Sequence, residues 1–195
     1  MTTQLEICNI ALSYVGATPI ADLSETSTEA IWCNTNYEPL KQAVLAERTW
    51  NFAEATTETT NATEAPGGGY LYAYPAGAVR VYRCYKQILP TRRLANWQRQ
   101  GPNILADFDG TLYIIGTDSS TLEADFPPMF TQALAARMAM EMALPIARSQ
   151  SMLAGLVSMY EQKISAAAAA DGSEGRSERH DSSELTSSRV GGYSI

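Results

Sequence analysis

Amphipathic helical patterns lie at both ends of this chain, and residues with strand character lie between them. Apolar side chains recur at steps of three and four over residues 5–15, and again over residues 153–164, where the pattern is clearest. An amphipathic helix is stabilised mainly by covering its apolar face with another element. We therefore expect the two ends to form one helical bundle, with the middle of the chain inserted into it.

Capping and stop signals divide these ends into two pairs of helices. Thr3 has a glutamate three residues later, which is the spacing of a capping box, and Gly16 is a typical stop after the first helix. Thr26 repeats the capping spacing and predicts a second helix, which Pro39 is expected to kink or to divide. The third and fourth helices are expected from about residues 127 and 149, after proline and serine signals.

The middle of the chain has the alternation and turn signals of antiparallel strands. Residues 70–74 and 79–85 alternate in character at a period of two. Asp109-Gly110 separates two apolar runs and predicts the tip of a hairpin, because glycine tolerates positive φ. Residues 56–66 are rich in threonine, glutamate and alanine, and we expect them to form a loop.

Together these patterns predict an α+β fold that is mainly α. The expected architecture is a helical bundle, made of N-terminal and C-terminal helical pairs, with an inserted small antiparallel β region and an extended C-terminal tail. Residues 1–171 are the expected packed domain, with the β insertion at about 56–120. Residues 172–195 are rich in serine and glycine and have almost no apolar side chains before Tyr193 and Ile195, so they are the expected tail.

Composition argues against several classes of function. The 195 residues have a formal net charge of −7, which does not suit a protein that binds DNA mainly by neutralising phosphates. No apolar run approaches the roughly 20 residues that cross a bilayer, and we expect no membrane partner. The single histidine, His180, stands in the polar tail, which argues against a histidine-dependent hydrolase or a multi-histidine metal site. We expect no enzyme activity, no cofactor and no metal.

The three cysteines are widely spaced and include no CxxC pair. We expect all three to be reduced, buried thiols, as in a protein synthesised in a cytoplasm.

One motif suggests catalysis. Residues 107–112 read D-F-D-G-T-L and resemble the D-x-D-G-T-L nucleophile motif of haloacid dehalogenase-type phosphatases. There Asp107 would attack phosphorus, Asp109 would act as acid and base, and both would help to bind Mg²⁺. The alternative is a turn with Asp-Gly at its tip. We favour the turn, because the motif lies in the middle of the chain and the only later lysine, Lys163, lies on an amphipathic helix.

A second feature is a basic stretch in an acidic chain. Residues 80–100 contain six cations and no acidic residue, with aromatic residues among them; the cations are Arg80, Arg83, Lys86, Arg92, Arg93 and Arg99. Three interpretations remain open: a nucleic-acid contact, a solvated strand face, or a contact with an acidic protein surface. The chain itself offers such a surface in Glu25, Glu29, Glu54, Glu58 and Glu64.

Several stretches together resemble one known family. They are LEICNIALSYVGATPI and YEPLKQAVLAERTWNFA near the start, and DFPPMFTQALAARMAMEMALPIARSQSMLAGLVSMYEQKISAAAAADGSEGR near the end. The most specific parts are WNFA at 50–53 and FPP at 126–128. In this order and separation they are similar to the tail tubular protein A family, the head-to-tail adaptors of short-tailed bacteriophages.

The resemblance implies a non-enzymatic structural protein of the virion, synthesised in the host cytoplasm. It would form a homo-oligomeric ring of twelve subunits between the portal protein and the tail nozzle protein, with double-stranded DNA passing through the lumen without sequence-specific binding. A head-completion or connector protein of a longer-tailed phage is the structural alternative.

The resemblance also assigns roles to two sets of residues. The tail would dock on the portal through Arg176, Arg179, Arg189, Tyr193 and Ile195. Contacts with a neighbouring subunit or the nozzle would use Arg80, Arg83, Arg92 and Arg93.

Overall fold

A computed structural model describes residues 2–60, 62–88 and 92–174. The helices are α1 (Gln4–Tyr14), α2 (Thr28–Glu47), α3 (Pro128–Met142) and α4 (Gln150–Glu174), and a short 3-10 helix (Glu123–Asp125) precedes α3. The strands are β1 (Glu54–Thr59), β2 (Thr63–Glu64), β3 (Tyr70–Ala73), β4 (Ala78–Gln87), β5 (Arg93–Leu94), β6 (Trp97–Gln100), β7 (Asn103–Ala106) and β8 (Leu112–Asp118). The described strands therefore all lie between the two helical ends.

The four helices share one hydrophobic core in which α3 is central. α3 contacts α1, α2 and α4, and nine of its fifteen residues are buried. Small alanine side chains make up four of those nine, which allows neighbouring helices to approach closely. The largest fully buried side chains of this core are Ile7, Leu12, Tyr37, Leu45, Trp50, Phe130, Leu134 and Met138.

The strands form two four-stranded antiparallel sheets that enclose a second core. Sheet A has the order β1-β8-β4-β5 and sheet B the order β2-β3-β7-β6. Side chains from both sheets meet between them, as in a β-sandwich. The buried members are Tyr72, Val81, Cys84, Ala95, Ile104, Ala106, Leu112 and Ile114.

The sandwich enters and leaves the helical domain through two paired strands. β1 begins and β8 ends at the same place, since Glu54 pairs with Thr117. One step nearer the helices, the Asp118 backbone N–H donates to the Ala53 carbonyl at 2.9 Å. The sandwich is thus an insertion whose two ends are adjacent.

The predicted mainly-α bundle with a small β insertion is wrong. Of the described residues, 44% are helical and 23% lie in strands, and those strands form two sheets with their own core. The main reason is β1, which we expected to be loop. Its sequence EATTET is mostly exposed because β1 is an edge strand, and its position is set by main-chain pairing with β8.

The hairpin predicted at Asp109-Gly110 is also wrong. β7 pairs with β3 and β6 in sheet B, whereas the next strand, β8, pairs with β1 and β4 in sheet A. Residues 107–111 therefore cross from one sheet to the other. A turn dipeptide between apolar runs does not reveal whether the two runs pair, because the pairing partner of each run lies elsewhere in the chain.

Local helix signals were more accurate. Thr3 forms both halves of its capping box, with Glu6, and α3 begins at Pro128. The second cap is Ser27, whose hydroxyl accepts from the Ala30 N–H, one residue later than the threonine we expected. α2 runs without interruption through Pro39, so no new helix starts there.

Candidate functional site

The basic stretch follows β4, β5 and β6. Arg80, Arg83 and Lys86 lie on β4, Arg92 comes just before β5, Arg93 begins β5 and Arg99 lies on β6. Four of these cations lie over aromatic rings of the same sandwich, with cation-to-centroid distances of 4.4 Å for Arg99 on Tyr74, 5.6 Å for Lys86 on Phe108, and 5.7 Å for Arg83 on Tyr82 and Arg92 on Tyr85. These rings already have a cation beside them, which favours a stiffened protein surface over an open stacking platform for bases.

Arg80 joins the sandwich to the helical domain. Its guanidinium donates to the Ala46 carbonyl at 3.1 Å, in the last turn of α2. A cation at this end of a helix interacts favourably with the helix dipole. Arg80 therefore has a role within the chain, in addition to any contact that it makes with another protein.

The two sheets place opposite charges on opposite lateral sides of the sandwich. β5 and β6 are edge strands of different sheets, and two residues join them. We call β5, β6 and Arg92 the basic side. Its cations are Arg92, Arg93 and Arg99. β1 and β2 are the other two edge strands, and three residues join them. We call β1 and β2 the acidic side. Its carboxylates are Glu54, Glu58 and Glu64. Residues 54–64 contain no cation and residues 80–100 contain no carboxylate.

Apolar groups accompany the charges on the basic side. Leu94, between Arg93 and the buried Ala95, is 66% exposed. An open cleft of about 440 Å³ lies beside β6, across the end of sheet B. There the half-buried Tyr70 of β3 and Trp97 of β6 both pair with Ala106 of β7, one from each side. A partly exposed tryptophan among arginines is typical of the hot spots of a protein interface, and Leu94 adds exposed apolar surface beside them.

The D-x-D-G-T-L motif lies at the crossover between the sheets. The Asp107 carboxylate pairs with Lys86 at 2.9 Å, and this hydrogen bond and charge lower the pKa of Asp107. The Tyr72 hydroxyl donates to the Phe108 carbonyl at 2.7 Å and to the Gly110 carbonyl at 3.1 Å. Gly110 has φ of +137°, and a Cβ there would lie 2.8 Å from the Phe108 ring. These contacts explain the motif as a tightly held crossover loop.

No group of three or more His, Cys, Asp or Glu side chains within residues 2–60, 62–88 and 92–174 is arranged to hold a metal ion. Asp107 and Asp109 are therefore not part of a larger acidic cluster in that part of the chain.

Four aromatic rings join the α2–β1 connection to the start of α3. Trp50, Phe52, Phe126 and Phe130 pack with ring centroids 4.8–5.8 Å apart, mostly edge to face. We call them the aromatic junction. Such contacts add to the free energy of burial. The junction fixes the helical domain at the place where the sandwich is attached.

Asp171 ties the end of α4 to the same place. Its carboxylate is buried and accepts from the Asn51 and Phe52 backbone N–H groups, at 2.8 and 3.3 Å. The Asn51 side chain donates back to the Asp171 carbonyl at 2.7 Å. Sequence patterns missed this residue, because nothing near Asp171 in the sequence points to partners 120 residues away.

Lys41 is a buried cation in the helical domain. Its ammonium lies 3.0 Å from a Glu123 carboxylate oxygen that also accepts from the Tyr37 hydroxyl at 3.3 Å. The Phe126 ring centroid is 5.6 Å away. Burial raises the pKa of Glu123, but the hydrogen bonds and the charge of Lys41 outweigh that effect and the pKa is lowered. The pair fixes the segment before α3 against α2.

All three cysteines are free and buried, as predicted. Cys8 and Cys33 interact with each other in the helical core, and this contact together with burial raises the pKa of Cys8. Burial raises the pKa of Cys84, in the sandwich core, to about 12.

The predicted portal-docking residues lie outside the described residues; they are Arg176, Arg179, Arg189, Tyr193 and Ile195. None of the helices within residues 2–60, 62–88 and 92–174 is both long and apolar enough to cross a bilayer.

The sequence matches no family model and no curated protein at a significant level. The similarity to phage adaptors therefore depends on the stretches quoted above and remains a hypothesis.

Proposed function

We propose that this chain is a structural virion protein of a short-tailed phage, a head-to-tail adaptor that joins the portal to the tail nozzle. Copies of the chain would form a ring, with twelve members in the adaptors that it resembles, and DNA would pass through the lumen. The net charge of −7 suits this role, because an acidic chain repels a DNA duplex and does not retain it. The function is assembly, not catalysis.

The observation behind this proposal is that the stretches carrying the resemblance converge on one place. WNFA supplies Trp50 and Phe52 to the aromatic junction, and DFPPMF supplies Phe126 and Phe130. The alanine-rich end of the last stretch supplies Asp171, which binds the backbone of the first. Residues far apart in sequence thus form one structural unit, which explains why they would occur together in a family.

The same unit provides a fixed origin for the tail. α4 ends at Glu174, three residues after the Asp171 anchor, and the first proposed portal contact, Arg176, follows two residues later. A docking strap needs such an origin, since a fixed starting point limits the conformational entropy lost when the strap binds.

A binding assay with the portal protein of the phage that encodes this chain tests the proposal. We expect the full chain to co-sediment with portal rings, and a chain ending at Glu174 to remain in solution with an unchanged circular dichroism spectrum. A full-length chain with the order of residues 175–195 scrambled is the matched control, and it should also fail to bind. The proposal is refuted if the full chain does not bind the portal, or if the truncated chain binds equally well.

A further inference from the structure

We infer that copies of this chain associate head to tail through the sandwich, with the basic side of one copy against the acidic side of the next. The inference rests on the proposed function, because it supplies the subunit contact of a ring. It commits to a second copy of this chain as the partner. Of the acidic residues that the sequence offers for such a contact, it uses those on β1 and β2 and not Glu25 or Glu29.

Charge complementarity is the first argument. Both edges on one side of the sandwich are acidic and both edges on the other side are basic. Glu58, Glu64, Arg93 and Arg99 are all exposed. Each side would repel a copy of itself, so a two-fold symmetric contact is disfavoured. Contacts between unlike sides have the geometry that generates rings or filaments.

The exposed main chain is the second argument. Among the described strands, β1 pairs with β8 alone and β5 with β4 alone. The outer N–H and C=O groups of such edges can pair with another strand, over six residues on β1 and over two on β5. β1 is six residues long, contains no proline and has three threonines with high strand propensity.

An apolar centre is the third argument. Leu94 is 66% exposed and lies between the charges of the basic side, where water would otherwise cover it. On the acidic side, the exposed Thr57 and the half-buried Thr59 each add a methyl group. An apolar contact surrounded by ion pairs is the usual arrangement of a specific interface.

Charge reversal on each side separates this contact from other modes of association. One variant combines Arg93→Glu with Arg99→Glu, and the other combines Glu58→Arg with Glu64→Arg. In each variant the two sides have the same sign, so we expect self-association to weaken at least about 100-fold. A 1:1 mixture of the two variants should recover assembly, because every contact in an alternating assembly then joins opposite charges.

Sedimentation velocity of the full chain at an ionic strength of about 0.05 M is the measurement. The matched control for the Glu58→Arg with Glu64→Arg variant is Glu161→Arg with Glu174→Arg on α4, which makes the same +4 change in net charge and should assemble as the wild type does. The inference is overturned if the wild type stays monomeric up to about 0.5 mM, if either sandwich variant assembles normally, or if the mixture does not recover. Portal binding through the tail is a separate readout, so this contact and the adaptor function can fail independently.

Discussion

Replacing Glu123 by alanine should destabilise the helical domain more than removing its cationic partner. The Lys41 side chain is only 7% exposed, and its ammonium lies 3.0 Å from Glu123. The other nearby carboxylate, on Glu38, is 3.8 Å away and 52% exposed, so it is a weak substitute. Breaking a buried pair costs about 3–5 kcal/mol when a charge is left unpaired. Because Glu123 is 24% exposed, we expect a cost below that range, about 2–3 kcal/mol.

Lys41→Met should cost less, about 1 kcal/mol or below, because a methionine fills the apolar part of the site and Glu123 can still be hydrated. The double variant Lys41→Met with Glu123→Gln should lie within about 1 kcal/mol of the wild type. The assay is urea unfolding followed by tryptophan fluorescence, to which Trp50, buried in the same core, contributes. If Lys41→Met costs as much as Glu123→Ala, the account of an unpaired buried charge is incorrect.

The exposed pair of Arg137 with Glu141, one helical turn apart on α3, is a control for this comparison. Glu141→Ala should cost only about 0.5 kcal/mol.

The buried pair also predicts a pH dependence. A lowered pKa on Glu123 contributes stability that is fully present above the unfolded value of 4.5 and is lost as the pH falls through the lower folded value. Glu123→Gln should remove that part of the acid destabilisation.

Three further predictions concern other parts of the chain. Asp171→Ala should lower the free energy of unfolding by about 2–4 kcal/mol in urea, because two backbone N–H groups lose a charged acceptor; a cost near zero would show that water replaces the carboxylate. Gly116→Ala should lower the melting temperature of the sandwich, because the new Cβ would lie 2.5 Å from the Arg80 carbonyl oxygen; an unchanged melting temperature would contradict the close approach of β4 and β8. Neither the wild type nor Asp107→Asn should hydrolyse a generic phosphate ester with Mg²⁺ present, and activity in the wild type alone would restore the phosphatase hypothesis.

Signals confined to a few neighbouring residues predicted local structure well. The cap at Thr3 and the proline start of α3 are decided by backbone groups within one turn, so the sequence around them is sufficient. The strands with alternating side chains, β3 and β4, were also recognised. β1 was missed because its exposed threonines and glutamates have no apolar alternation, and main-chain pairing with a strand more than 50 residues away fixes it.

The candidate sites show the same division. The basic stretch was visible in the sequence because its six cations are close together. The acidic residues were also visible, but Glu58 and Glu64 were not separated from Glu25 and Glu29, because they form one surface only when β1 and β2 become adjacent edges of two sheets. Lys41 and Asp171 look like ordinary surface charges in a helical pattern, and only their long-range partners make them structural.

The insertion of the sandwich between α2 and α3 has a consequence for the order of folding during synthesis. α3, on which both earlier helices pack, begins 81 residues after α2 ends, which is about 4–16 seconds at typical rates of translation. The eight strands described above have been made by then. Once β1 pairs with β8, residues 54–118 no longer count toward the loop between α2 and α3, which shortens from 80 to about 15 residues. The entropic cost of closing the helical domain then falls by about 1.5 kcal/mol. The β domain thus acts as an internal template that brings together helices encoded at opposite ends of the chain.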